Sequence, residues 1–169
     1  MNVLINSTVL SNFAATERLP LLQRLYGEVY LAQPVYEETQ DGLEEGYSFL
    51  AVLDQFIFPF HGDGWLHLVN LEGEAEFRIY QQVPPKLHRG EAVSIVIAVH
   101  RGWRFLTDDQ AARRYAKTLG VDVSGTLGIL VQLVKRNIVP LTEANSLLRQ
   151  MKHLARYHRP INDIGSLLP

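Results

Sequence analysis

The 169-residue chain is 47% hydrophobic, enough for a sizeable core and within the usual length of one domain, which is expected to span residues 1–169. Sixteen Lys and Arg against eighteen Asp and Glu give a formal charge of −2, so the average surface does not draw in nucleic acid and any phosphate-binding surface must be a local patch. The absence of cysteine excludes disulfides, thiolate nucleophiles and sulfur-based zinc sites, and fits a reducing, cytoplasmic compartment.

Taken in chain order, Val3, Leu4 and Ile5 form a short continuous apolar run ended by Asn6-Ser7-Thr8, the pattern of a strand buried on both faces. Helical spacing follows at about 8–14 and 18–26, with Gly27 as the stop. The opening lacks the basic region of a signal peptide, and no apolar run approaches the roughly 18 to 20 residues of a membrane span, so no membrane partner is expected. Val29 to Leu31 predicts a second strand, and Pro34 suits the first turn of a helix continuing to Gln40. Residues from about 42 to 85 are less regular and read as an inserted segment, with a helix near 44–55, a strand at 66–70 and a helix near 74–81. Residues 90–101 predict a helix apolar nearly all round, 104–107 a strand, 109–118 a helix and Val121 to Val123 a last strand. Two helices close the chain at about 126–136 and 142–156, the second opened by Thr142.

Strands alternating with helices of ten or more residues predict an α/β fold, a three-layer α/β/α sandwich around a mostly parallel sheet. In such a sheet the functional crevice lies beyond the carboxyl ends of the strands. Topology brings Asn6, Glu38, Glu91, Asp108 and Asp109 to that one edge. Facing carboxylates repel unless a cation compensates, and hard divalent ions do so through oxygen ligands. Such ions activate water and neutralise charge on a phosphate, so metal-assisted phosphodiester hydrolysis is the chemistry this rim suggests. Singly, each residue has a plainer role: the two aspartates as a helix cap, Glu91 as a complement to a helix dipole, Glu38 as a solvated face and Asn6 as a turn former.

Four stretches carry a family resemblance. LINSTVLSNFA resembles the opening of PIN domains, PVYEE their V-x-x-E helix, LHRGEAVSIVIA their acidic fourth-helix motif and FLTDDQAARRYA their T-x-D strand end. With SGTLGIL, the set is similar to a bacterial and archaeal PIN subgroup close to toxin–antitoxin toxins. The resemblance covers residues 2–40 and 87–137 and implies a PIN-like fold with Mg²⁺- or Mn²⁺-dependent endoribonuclease activity on single-stranded RNA. It further implies a homodimer and inhibition by a cognate antitoxin protein. By position it makes Glu91 and Asp109 metal ligands, with Asp108 competing for the same place. Glu38 would orient water or complete the metal's surroundings, with Ser7, Thr8 and Thr107 in support and Arg113 and Arg114 meeting phosphate.

One residue departs from that pattern. Where the family has Asp, this chain has Asn6, whose neutral carbonyl attracts a hard cation more weakly than a carboxylate would. A non-catalytic PIN-like module that binds RNA or a partner is therefore the alternative to a ribonuclease. SGTLGIL lacks both phosphate-loop patterns, so Gly125 and Gly128 are expected to permit close packing. No H-x-x-x-H pair suggests a zinc protease. A receiver domain shares the architecture but needs a Lys that Val123 to Gly125 does not offer. Lys152, His153, Arg156, His158 and Arg159 form a basic C-terminal cluster that either touches RNA or an acidic partner or is a solvated face.

Overall fold

A computed structural model describes residues 1–169. The strands are Val3–Ile5 (β1), Val29–Ala32 (β2), Ile57–Phe58 (β3), Leu66–Val69 (β4), Arg104–Leu106 (β5) and Val123–Ser124 (β6). They form one sheet in the order β3-β4-β2-β1-β5-β6, and every neighbouring pair is parallel. The α-helices are Ser7–Ala15 (α1), Pro20–Tyr26 (α2), Gln33–Glu44 (α3), Gly73–Tyr80 (α4), Arg89–Arg101 (α5), Gln110–Thr118 (α6), Thr126–Lys135 (α7) and Leu141–Leu154 (α8). Helix α5 packs against α3, α4 and α6, and α8 against α1 and α7, so two helical layers cover the sheet. This is the three-layer α/β sandwich that the alternation of strands and helices predicts.

Burial explains the sequence patterns. All three residues of β1 are buried, and from Gly90 to Ala98 every residue of α5 is buried, as a helix between a sheet and neighbouring helices must be. Val3, Leu4, Ile5, Ile95, Ile97 and Phe105 belong to one core cluster. No helix is long and apolar enough to cross a membrane.

The middle segment departs from its pattern. The helix expected near 44–55 is a 3₁₀ helix at Ser48–Phe56, although Phe49, Val52, Leu53 and Phe56 keep helical spacing. The two-residue strand β3 was not foreseen, being too short to alternate. The last strand lies at Val123–Ser124 rather than 121–123, because pairing with Phe105 and Leu106 sets its register. Helix α8 begins at Leu141 with Pro140 as its cap residue, not Thr142. The connections place the sheet's switch in strand order between β1 and β5, which opens a crevice at their carboxyl ends.

Candidate functional site

Asn6 sits at that switch point, 1% exposed. Its N–H donates to Leu106 O (2.8 Å), its Oδ1 accepts from Ser7 N (2.9 Å) as the cap of α1, and its Nδ2 donates to Thr107 Oγ1 (3.1 Å). Thr107, fully buried at the end of β5, also accepts from Asp109 N (3.2 Å). Both ends of the Asn6 amide are thus engaged in tying β1, α1 and β5 together.

The two adjacent aspartates part company. Asp108 accepts from Thr126 N (3.0 Å), Thr126 Oγ1 (2.5 Å) and Asn12 Nδ2 (3.2 Å), fastening the end of β5 to α7 and α1. Gly125 makes this possible, since a Cβ there would lie 2.6 Å from Asp108 Oδ1. At Gly128 a Cβ would lie 2.3 Å from Ser124 Oγ, so both glycines permit the close packing read from SGTLGIL. Asp109 caps α6, its Oδ1 accepting from Ala112 N (2.7 Å), and its second oxygen has no protein donor. Thr8 Oγ1 accepts from Asp108 N at 3.4 Å.

Glu91, 6% exposed, opens α5 and accepts from His88 N (3.2 Å). Burial pushes its carboxyl above the ordinary value, the Asp109 and Glu38 charges push it further in the same direction, and His88 opposes them. Glu38 accepts from Ser7 Oγ (2.9 Å), while its other oxygen lies where a Cβ of residue 90 would come within 2.3 Å. The glycine preceding Glu91 therefore lets α3 and α5 approach closely enough to bring these two carboxylates together.

Glu38, Glu91 and Asp109 thus gather electrostatically, each keeping one oxygen free of protein donors. They are not placed as a metal cluster: no group of three or more His, Asp or Glu side chains is arranged to hold an ion. The donor chemistry agrees, because the central position offers an amide already bound at both ends and Asp108 is saturated by protein donors. That leaves Glu38, Glu91 and Asp109 as the rim carboxylates with an oxygen to offer a divalent ion.

A cleft of about 540 Å³ opens beside these acids. Glu38, Asp108 and Asp109 line its floor, and Tyr47 and Phe49 one wall. The chain leaving α8 also lines it, with Arg156, His158 and Arg159. Arg159 Nη2 donates to Asp108 O (2.6 Å), pinning this strap across the end of β5. The basic C-terminal cluster therefore divides. Lys152 is spent on Ile161 O and Asn162 Oδ1, and only the later members reach the cleft. Arg113 folds back onto Thr107 O (2.9 Å), and Arg114 is exposed beside Gln110. Asn12, Tyr47 and Phe49 escaped the sequence reading. The first lies within an ordinary helix pattern, and the other two lie in the less regular middle segment, read only as part of a helix.

The fold and the rim define a PIN-type domain. The chain matches the family DUF3368, described as a PIN domain, over residues 2–161, and it belongs to that family. PIN domains are generally nucleases that bind nucleic acid and use divalent metal ions. A PilT N-terminus domain protein from the hyperthermophilic archaeon Sulfolobus solfataricus P2 is similar in structure at 12% identity and a TM-score of 0.39, over 95% of this chain and 99% of that one. No curated protein matches the chain.

Proposed function

We propose that this protein is a PIN-domain module that binds single-stranded RNA in the cleft beside β1 and β5 and whose hydrolytic centre is incomplete. The carrying observation is Asn6. At the end of β1, where the family carries a carboxylate, it offers a neutral amide whose two polar atoms are held by Ser7 and Thr107, so no fourth carboxylate joins Glu38, Glu91 and Asp109. The cleft itself supports recognition: it has the volume of a ligand site, within about 300 to 1,000 Å³, and carries exposed basic side chains on a protein with no net positive charge.

A second reading draws on a different observation. Glu38, Glu91 and Asp109 each keep an unpaired oxygen, and the raised carboxyl of Glu91 marks like charges that His88 offsets only in part. This supports a Mg²⁺- or Mn²⁺-dependent endoribonuclease, which the resemblance to toxin-like PIN proteins would make the toxin of a toxin–antitoxin pair and a homodimer restrained by its antitoxin.

Binding and cleavage of a mixed single-stranded RNA pool, measured with Mn²⁺ for the wild type, Asp109→Asn and Asn6→Asp, separates the two. The binding reading expects retention of RNA by all three and cutting only by Asn6→Asp. Cutting by the wild type that Asp109→Asn abolishes would establish the enzyme instead. If no protein retains RNA, neither reading stands.

A further inference from the structure

We propose that the cleft is a nucleotide subsite in which Tyr47, backed by Phe49, stacks a base and the strap of Arg156, His158 and Arg159 holds the adjoining phosphate. This rests on the RNA-binding reading and adds how the strand is seated. The lining combines aromatic and basic side chains, the two chemistries a nucleotide requires. Tyr47 is 43% exposed, and Phe49 lies beside it at 6.0 Å between centroids, tilted by 55°. Aromatic faces that line a basic groove are how single strands are held without reading their sequence.

The local backbone presents the shelf. Gly46, with φ of 104°, turns the chain out of α3, and Tyr47 N then donates back to Gly42 O (3.0 Å). A Cβ at position 42 would come within 2.9 Å of Leu50 Cδ1 and 3.7 Å of the Tyr47 ring, so glycine there lets the shelf lie close against α3.

The strap is built as deliberately. Arg156 occupies the left-handed region at φ 53°, a strained setting for a residue with a side chain. Tyr157 is buried between exposed Arg156 and His158, so the segment anchors by its ring and offers its cations outward. Arg159 keeps further guanidinium donors beyond the one given to Asp108 O. The floor sets the orientation. Glu38 and Asp109 repel a phosphate and so leave it to the strap, while their free oxygens accept from a ribose 2′-hydroxyl, which favours RNA over DNA.

The test is titration of a single-stranded RNA ten-mer carrying one 2-aminopurine into the full chain, followed by anisotropy and by the probe's own fluorescence over a range of salt. Tyr47→Leu keeps an apolar side chain but no stacking face, and is expected to weaken binding at least about fivefold and to relieve the quenching of 2-aminopurine. Arg156→Asn, tolerated in the left-handed region, combined with His158→Ala is expected to flatten the dependence of log affinity on log salt by roughly 0.7 per lost phosphate contact. Arg78→Ala, exposed on α4 and outside the cleft, should bind as the wild type does. Melting temperatures establish that each variant is folded. Wild-type affinity and quenching in Tyr47→Leu, or an unchanged salt slope in the double variant, would overturn the subsite while leaving RNA binding elsewhere intact. A wild type that binds no RNA at low salt would remove the RNA reading itself.

Discussion

The two ends of α5 each bury a glutamate near them, with opposite consequences. Beyond its carboxyl end, Glu76 of α4 is 1% exposed. It receives Arg101 Nε at 2.7 Å and Nη2 at 3.0 Å, the Glu72 N–H at 2.7 Å and His100 Nδ1 at 3.1 Å. Burial alone would push the Glu76 carboxyl up, but the Arg101 hydrogen bonds and the Glu72 N–H hold it below its ordinary value. At the amino end Glu91 has one backbone donor and two acidic neighbours, and its carboxyl is pushed up. A compensated buried acid holds a fold together. An uncompensated one stores repulsion, which a protein retains where the charge has a use.

Breaking the compensated end should have the larger effect. Arg101→Ala leaves Glu76 in the interior without its principal cation, and removing one partner of a buried pair costs about 3 to 5 kcal/mol. Denaturant unfolding at neutral pH should show that loss. RNA affinity of the folded fraction should be unchanged, because neither residue lines the cleft. Because the folded Glu76 value is depressed, its contribution is full above the unfolded glutamate value and disappears as pH falls through the lower folded one. A loss below 1 kcal/mol would mean that Arg101 does not hold this joint.

The next effect belongs to the rim. Asn6→Asp removes the amide donor to Thr107 Oγ1 and places a further carboxylate, almost wholly buried, among Glu38, Glu91 and Asp109. Without divalent ions the cost should be about 1 to 3 kcal/mol. Millimolar Mn²⁺ should return stability to this variant in proportion to concentration and leave the wild-type melting temperature unmoved. A concentration-dependent rise in the wild type would show that Asn6 is compatible with an ion after all.

The same contrast explains what was legible in the sequence. VLI of β1 and AVSIVIA of α5 announced themselves because elements buried on all sides are continuous apolar runs. The three-layer α/β layout followed from these, and with it the edge at which the acids meet. What could not be read was the direction of each side chain. Asp108 and Asp109 are chemically equal neighbours, yet successive residues leaving a strand point to opposite sides. One therefore meets Thr126 and Asn12, and the other the Glu91 side. Glu76 looked like any acid in the first turn of a helix, because its partner Arg101 lies 25 positions away and only the packing of α4 on α5 joins them. Tyr47, the cap residue of the 3₁₀ helix, and Phe49 within it fell in a stretch that read only as helix, and helical spacing does not say which rings face a cleft.

The smallest effect should have the opposite sign. Glu91→Gln keeps an oxygen able to accept from His88 N and removes a charge facing Asp109 and Glu38, so it should stabilise the fold by about 1 kcal/mol near neutral pH, in the range of repairs that relieve strain at functional sites. The sign follows from linkage. A carboxyl whose folded value lies above its unfolded one binds more protons when folded, so ionising it at neutral pH costs the native state. That cost fades as pH falls through the raised folded value and is gone below the ordinary carboxylate range. Melting curves of wild type and Glu91→Gln should therefore lie apart at pH 7 and converge at about pH 4, near the ordinary glutamate value. A variant less stable than wild type at neutral pH would show that Glu91 is compensated as Glu76 is, and that the two ends of α5 do not differ in kind.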